Sequence, residues 1–421
     1  MIKLIKFSSL ARESGVAFIF RGIGTAAGLA MNLAISHSLG ATQAGSYFLC
    51  LAIVTFLSGV TRVGLDNTVL RFIGSSKAAN DWASVRYVLA RSLRAVLAVS
   101  TAVALIVFLF SDLISKNVFG KPEIAPTLAA MAPGIVGFSA CFVLSFAFQG
   151  VRSIPLSVFA QSLGVALLVC VSSIFLTSAT IAAAAYSLST ILVLVIGLFV
   201  WNRMLPATRE SPSVSDSDLR ASAFPLWITT VTAGLQLWAG QFVAGAYLQS
   251  DQLAQLAVAQ RTAFFISFFL MASSLVVAPK FSALYKQGKL DELAQLARSS
   301  IKLVIIFTVP VVLVLFVWAE EAMSMFGKDF SAGANLLRVL IVGQLINAIT
   351  GPVGYLLIMS GNERDMRNIS LVCGPLAVAL ALAFVPFWGA TGAAISTAAA
   401  IAAQNIAAAI LVKRRLGFSL F

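Results

Sequence analysis

Apolar residues run along this chain in long blocks separated by short polar breaks. The pattern has neither the strict alternation of half-buried strands nor the narrow stripe of soluble amphipathic helices. Windows long enough to cross hydrocarbon, about 20 residues each, fall at 15–37, 44–64, 90–111, 125–148, 155–177, 180–201, 222–248, 254–279, 299–319, 335–359, 369–387 and 390–411. They predict twelve transmembrane helices. An open sheet cannot satisfy its backbone in lipid, and the blocks are too long for barrel strands, so the predicted class is an all-α polytopic membrane protein. The stretch 202–221 (NRMLPATRESPSVSDSDLRA) is the longest with loop chemistry and lies near the midpoint of the chain. It predicts an N-terminal six-helix lobe over 1–201, a cytoplasmic linker over 202–221 and a C-terminal six-helix lobe over 222–421. Because six is even, both halves enter the membrane in the same direction, so any repeat would be parallel.

Composition removes the main competing class. A length of 421 residues would suit several soluble domains, but hydrophobic residues make up 59%, charged residues only 11%, and mean hydropathy is +0.95. That leaves too little polar material to cover globular surfaces, which excludes a soluble enzyme. The net charge of +13 would point to nucleic acid only if the cations formed a solvated face. Instead, all but five of the 29 Lys and Arg fall on one side of the alternating connections; the exceptions are Lys116, Lys121, Arg261, Lys328 and Arg338. By the positive-inside rule this places both termini in the cytoplasm, and no nucleic-acid partner is expected. The start, MIKLIKFSSLARE, precedes an apolar run too long and too polar for a signal peptide and reads as an interfacial lead-in to an uncleaved first helix. Cys50, Cys141, Cys170 and Cys373 lie inside apolar runs as small core residues, and His37 ends one with no second ligand nearby, so no metal site is expected.

Polar residues inside the spans are the candidate chemistry. An arginine at a helix centre costs about 2.5–3.5 kcal/mol on insertion scales, so one found there faces protein, water or an anion. Arg21 shares a helical face with Gly24, Thr25, Gly28, Asn32 and Ser36, whereas Ile19, Ile23, Ala30 and Leu33 lie opposite. Similar stripes hold Gln236 with Thr229, Thr232 and Gly240; Gln344 and Asn347 with Gly343, Thr350, Gly351 and Gly354; and Gln404 with Ser396 and Ala400. Each stripe has two readings: small residues that let helices pack closely, or the lining of a hydrated interior. The second is favoured at Arg21, Gln236, Gln344 and Asn347. Arg261 lies about 10 Å into its span at 1.5 Å per residue. Arg62 ends the second span with Asp66 at i+4, and either pairs with that carboxylate or binds a ligand. No Asp or Glu occupies the middle third of a span, and the loops hold no P-loop and no nucleophile with a base, so the chain is not expected to be an enzyme.

Several blocks carry a family resemblance: FGKDFSAGANLLRVLIVGQLINAITGPVGYLLIMSGNE (Phe326 to Glu363), AQRTAFFISFFLMASSLVVAPKFSALYKQGKLDELAQL (Ala259 to Leu296), WGATGAAISTAAA (Trp388 to Ala400) with KRRLG, and the early RGIG and SLGATQAGSYF. Together they resemble the oligosaccharide (Wzx-like) flippases of the multidrug/oligosaccharidyl-lipid/polysaccharide exporter superfamily. The resemblance implies twelve helices in two lobes around a central cavity. It also implies translocation of a polyprenyl-diphosphate-linked oligosaccharide across a bacterial cytoplasmic (inner) membrane, for O-antigen, capsule or exopolysaccharide synthesis. In similar lipid II flippases, basic residues of the first, second and eighth helices line the cavity, and Arg21, Arg62 and Arg261 occupy comparable places. Thr25, Asn32, Gln236, Gln344, Asn347 and Gln404 would then meet sugar hydroxyls. Implied partners are the lipid-linked oligosaccharide, membrane lipids, a polysaccharide polymerase and glycosyltransferases, with the chain a monomer. No cofactor is expected; a proton or sodium gradient or the membrane potential are the candidate driving forces. An ion-coupled multidrug antiporter of the same superfamily is the alternative, against which stands the lack of an acidic residue within the first span.

Overall fold

The computed structural model describes residues 2–206 and 211–420, with backbone alone at residues 2–17, Leu275 and Pro279. The side chains of Lys3, Lys6 and Arg12, and Arg209 in the linker, therefore lie outside the described set. Among the described residues every regular element is helical. In chain order these are α1 (Ile2–Thr61), α2 (Leu65–Ala78), α3 (Trp82–Leu109), α4 (Ser111–Asn117), α5 (Ala125–Met131), α6 (Pro133–Gly150), α7 (Ile154–Val158), α8 (Gly164–Ser172) and α9 (Ala179–Met204). There follow α10 (Asp216–Tyr247), α11 (Ser250–Phe264), α12 (Ser267–Lys286), α13 (Leu290–Val317), α14 (Ala319–Ser324), α15 (Ala334–Thr350), α16 (Val353–Met359) and α17 (Glu363–Leu416).

Nine helical segments among the described residues are long and apolar enough to cross a membrane. Two of them are each divided by one glycine outside helical geometry, Gly40 (φ 68°, ψ 173°) in α1 and Gly389 (φ 56°, ψ −133°) in α17. With α10, these divisions make the architecture compatible with twelve spans. Helices also break where the apolar pattern runs on. Pro133 and Pro352 have no N–H to donate, so the ladder stops between α5 and α6 and again between α15 and α16, where Gly351 takes a left-handed φ of 71°. The span expected at 254–279 is two helices, α11 and α12, separated at Phe265 and Ile266. Between α7 and α8 the backbone widens into a π-turn, Phe159–Leu163.

The chain forms two compact units: Val16–Val231, and Thr232–Phe421 with Met1–Gly15. The division falls inside α10, and the described part of the polar connection belongs with the first unit. In the first unit α6 packs against α2, α3 and α9, around fully buried Tyr47, Phe48, Ile73, Leu89, Leu128 and Phe148. In the second, α15 packs against α11, α13 and α17, and Phe281, Leu293, Ile301, Leu357 and Val412 share one core cluster.

Polar groups fasten the connection to the first unit. Asp81 caps α3 by accepting from the Ser84 N–H (2.8 Å), and accepts from the Ser213 hydroxyl (2.5 Å). Asp216, at the start of α10, accepts from the Tyr87 hydroxyl (2.7 Å) and from Arg91 Nε (2.8 Å). These bonds hold Asp216 below the usual carboxylate range, and those from Ser213 and then Ser84 pull Asp81 down to about 2. A depressed folded value means that the Asp81 anchor is fully present above the ordinary carboxylate value, about 3.9, and is lost as pH falls through about 2. Intrinsic-rate-corrected hydrogen-exchange protection of residues 213–218 should therefore be flat from pH 8 to 5 and fall in Asp81→Ala. Protection that already declines between pH 7 and 5 would contradict the anchor.

Gly64 joins α1 to α2 in left-handed geometry (φ 73°), and a Cβ there would run into the carbonyl of Ala223 on α10. Left-handed backbone costs a non-glycine residue about 1–2 kcal/mol before any clash. Gly64→Ala should lower the melting temperature of the detergent-purified protein by several degrees, whereas Gly74→Ala, in open space on α2, should leave it almost unchanged.

Candidate functional site

The two faces of the first span separate as its spacing predicts. Ile19, Ile23 and Ala30 are exposed but Leu33 is half-buried, whereas Gly24, Asn32 and Ser36 are buried and Arg21, Thr25 and Gly28 half-buried. The Thr25 hydroxyl donates to the Arg21 carbonyl (2.9 Å), and Asn32 Nδ2 to the Gly28 carbonyl (2.8 Å). Both bonds fold a side chain back on its own helix. Asn32 Oδ1 and Ser36 Oγ are buried with no hydrogen-bond partner among the described residues. Gly24 is a contact point, since a Cβ there would meet Ser162 Oγ and Val158 at 2.8 Å; Gly28 faces open space.

Arg62 lies just beyond α1 and is 8% exposed, with Asp66 beside it at 3%. Its Nε stands 3.5 Å from Asp66 Oδ2, beyond ordinary hydrogen-bond length, and Nε and Nη1 have no hydrogen-bond partner among the described residues. The guanidinium carbon lies 3.8 Å from the ring centroid of Phe142, the middle of a half-buried series on α6, Phe138, Phe142 and Phe146. The structure thus gives Arg62 both a carboxylate and an aromatic face while leaving donors unused.

In the second unit Arg261 is half-buried on α11 and donates from Nη1 to the Ala257 carbonyl (3.3 Å), one turn before the α11–α12 break. At that break the Ser267 hydroxyl donates to Gln344 Oε1 (2.5 Å), which also accepts from Asn347 Nδ2 (3.2 Å). The three residues form one polar triad between α12 and α15. Gln236 Nε2 donates to the Ala400 carbonyl (3.0 Å), tying α10 to α17, while Gln404 Oε1 has no partner among the described residues. The glycines of these stripes serve close packing: a Cβ on Gly343 would meet Ala398 at 2.8 Å, and one on Gly240 would meet Thr397 Oγ1 at 2.7 Å. Spacing did not reveal the Phe142 face or the Ser267 triad, because both depend on partners distant in sequence.

In the first unit α1 carries Arg21 with uncharged polar groups and the α1–α2 junction carries the buried Arg62–Asp66 pair; in the second, Arg261 precedes the α11–α12 break and amides gather beside it. The sequence profile described as Polysaccharide biosynthesis protein matches residues 10–285, and the MatE profile matches residues 235–383. The chain belongs to the polysaccharide biosynthesis protein family. No curated protein matches it by sequence. Among solved structures it is similar to an inward-facing multidrug resistance MATE family transporter of the MOP superfamily, with TM-score 0.77 and 15% identity over 94% of each chain. It is also similar to the lipid II flippase MurJ in an inward closed conformation, with TM-score 0.74 and 14% identity over 94% of this chain and 87% of that one. A third likeness is to a MOP superfamily transporter from Pyrococcus furiosus, with TM-score 0.64 and 15% identity over 97% and 95%. The fold is that of MOP superfamily transporters, and this family member is a multi-span membrane protein.

Proposed function

We propose that the protein is a flippase that moves a polyprenyl-diphosphate-linked oligosaccharide across the cytoplasmic membrane for surface polysaccharide synthesis. The observation that carries this reading is the family match across residues 10–285. It is supported by the cations that the matched region holds within or at the ends of its spans, Arg21, Arg62 and Arg261. A headgroup bearing a diphosphate and sugars cannot cross hydrocarbon unaided, because its charges and hydroxyls would lose their water. Guanidinium groups replace water around phosphate with charge-assisted bonds, and Thr25, Asn32, Gln236, Gln344, Asn347 and Gln404 offer hydroxyl and amide partners for sugars. The polyprenyl chain stays in lipid, and alternating access carries the headgroup across.

The lysine and arginine distribution supports cytoplasmic termini. With the cell interior negative, each phosphate charge moved outward gains about 2.3 kcal/mol per 100 mV, so the potential favours export without a coupling ion. In vesicles loaded with lipid-linked oligosaccharide, imposing an inside-negative potential should speed outward appearance of the glycan several-fold over a depolarised control; identical rates would remove the potential as a driving force. The function itself is tested by deletion in the host. Loss of surface polysaccharide with lipid-linked repeat units accumulating on the inner face is expected. Unchanged polysaccharide with heightened drug sensitivity would instead establish the multidrug reading, which the MatE match at residues 235–383 keeps as the alternative.

A further inference from the structure

A second feature lies apart from the cations assigned above. Between the first half of α3 and the start of α10, within the Val16–Val231 unit, is a cavity of about 350 Å³ whose wall is almost wholly apolar and whose one charged region is Arg91, Arg220 and Asp216. On α10 the lining residues Asp216, Leu219, Arg220, Ala223 and Phe224 recur at helical spacing on one face. On α3 the order is the same, with Arg91 nearer the helix start and Ala95 and Val99 deeper. At 1.5 Å per residue, Val99 lies about 12 Å beyond Arg91 along the axis. Charge therefore sits at the end of each lining row nearer the polar connection, and apolar surface extends from it into the span. Phe224, at the far end of the α10 row, is 61% exposed.

From this arrangement we infer that the groove binds one anionic glycerophospholipid, its phosphate against Arg91 and Arg220 and an acyl chain along Ala95, Val99 and Phe224. Arg91 uses Nε on Asp216, and among the described residues its two Nη groups have no protein partner. Arg220 Nη2 stands 3.7 Å from Asp216 Oδ2, with its side chain 76% exposed. Two guanidinium groups against one carboxylate leave one net positive charge, which matches a single phosphodiester. A diphosphate would leave charge uncompensated, and a zwitterionic headgroup would bring its own cation to a site that already has an excess. The inference does not depend on which compound is transported. It gives the α3–α10 junction, already fastened by Asp216, a lipid component.

The test uses the full chain in detergent, native mass spectrometry, and phosphatidylglycerol and phosphatidylethanolamine as probes at equal concentration. The wild type should retain one phosphatidylglycerol with at least fivefold preference. Arg220→Gln, which preserves the Arg91–Asp216 pair, should reduce that preference below twofold, and Ala95→Phe, which fills the groove, should remove the bound lipid. If Ala95→Phe fails to fold, Arg220→Gln alone decides. Unchanged preference in Arg220→Gln overturns the proposal. So does displacement of the lipid by millimolar inorganic phosphate, which would mark a free-phosphate site, or by a polyprenyl diphosphate, which would make the groove part of the substrate path.

Discussion

Replacing Arg21 and Arg261 together by alanine is expected to cut export of the surface polysaccharide by at least about 100-fold while leaving the protein at normal levels in the membrane. Hydrogen bonds to charged groups contribute about 1.5–3 kcal/mol each, and about 1.4 kcal/mol is a factor of ten. Each single replacement should therefore cost roughly tenfold. Loss of one such bond from each residue sums to about 3 kcal/mol at the low end, or about 100-fold. Neither replacement threatens the fold: both residues are half-buried on helices, and alanine is the strongest helix former. Lysine at either position keeps the charge but loses the planar fork, so its effect should lie between wild type and alanine. The measurement is glycan on the cell surface by immunoblot, normalised to membrane-localised protein. Full export by the double variant would defeat the diphosphate role of both residues.

Much of the fold was legible because lipid imposes a single demand. Each crossing needs about 20 apolar residues, and every predicted window meets helical structure, including those joined end to end through Gly40 and Gly389. The breaks were harder. At Phe265 and Ile266 the residues on both sides are apolar, so hydropathy stays high while the hydrogen-bond ladder stops. Pro352 after Gly351 carried a visible signal, since proline removes a donor and glycine admits positive φ. Polar positions were legible only as faces. Helical spacing placed Gln236 toward the interior, but the carbonyl that it meets belongs to Ala400, 164 residues away. Spacing alone could not tell that bond from a hydrated surface. The same holds for Arg62: Asp66 at i+4 was visible in the sequence, whereas the ring of Phe142 beneath the guanidinium was not.

That geometry yields the sharpest separation of structural from functional roles. Arg62→Ala should destabilise the protein by about 3–5 kcal/mol, because it strands the buried carboxylate of Asp66 without a counter-charge. For a unit of this size, that lowers the melting temperature by on the order of ten degrees. Replacing both partners by apolar residues of similar volume, Arg62→Met with Asp66→Leu, removes the stranded charge and should restore most of the stability. Export should remain absent in this stable double variant. The reason lies in the donors: Nε and Nη1 of Arg62 have no hydrogen-bond partner among the described residues, and a buried guanidinium with unused donors carries an unrelieved desolvation cost that an anionic ligand can offset. A purely structural ion pair would instead have its donors aligned on the carboxylate, as Arg415 is on Asp365 at 2.6 Å. If the double variant recovers both its melting temperature and its export, Arg62 is there only to neutralise Asp66, and anion recognition falls to Arg21 and Arg261.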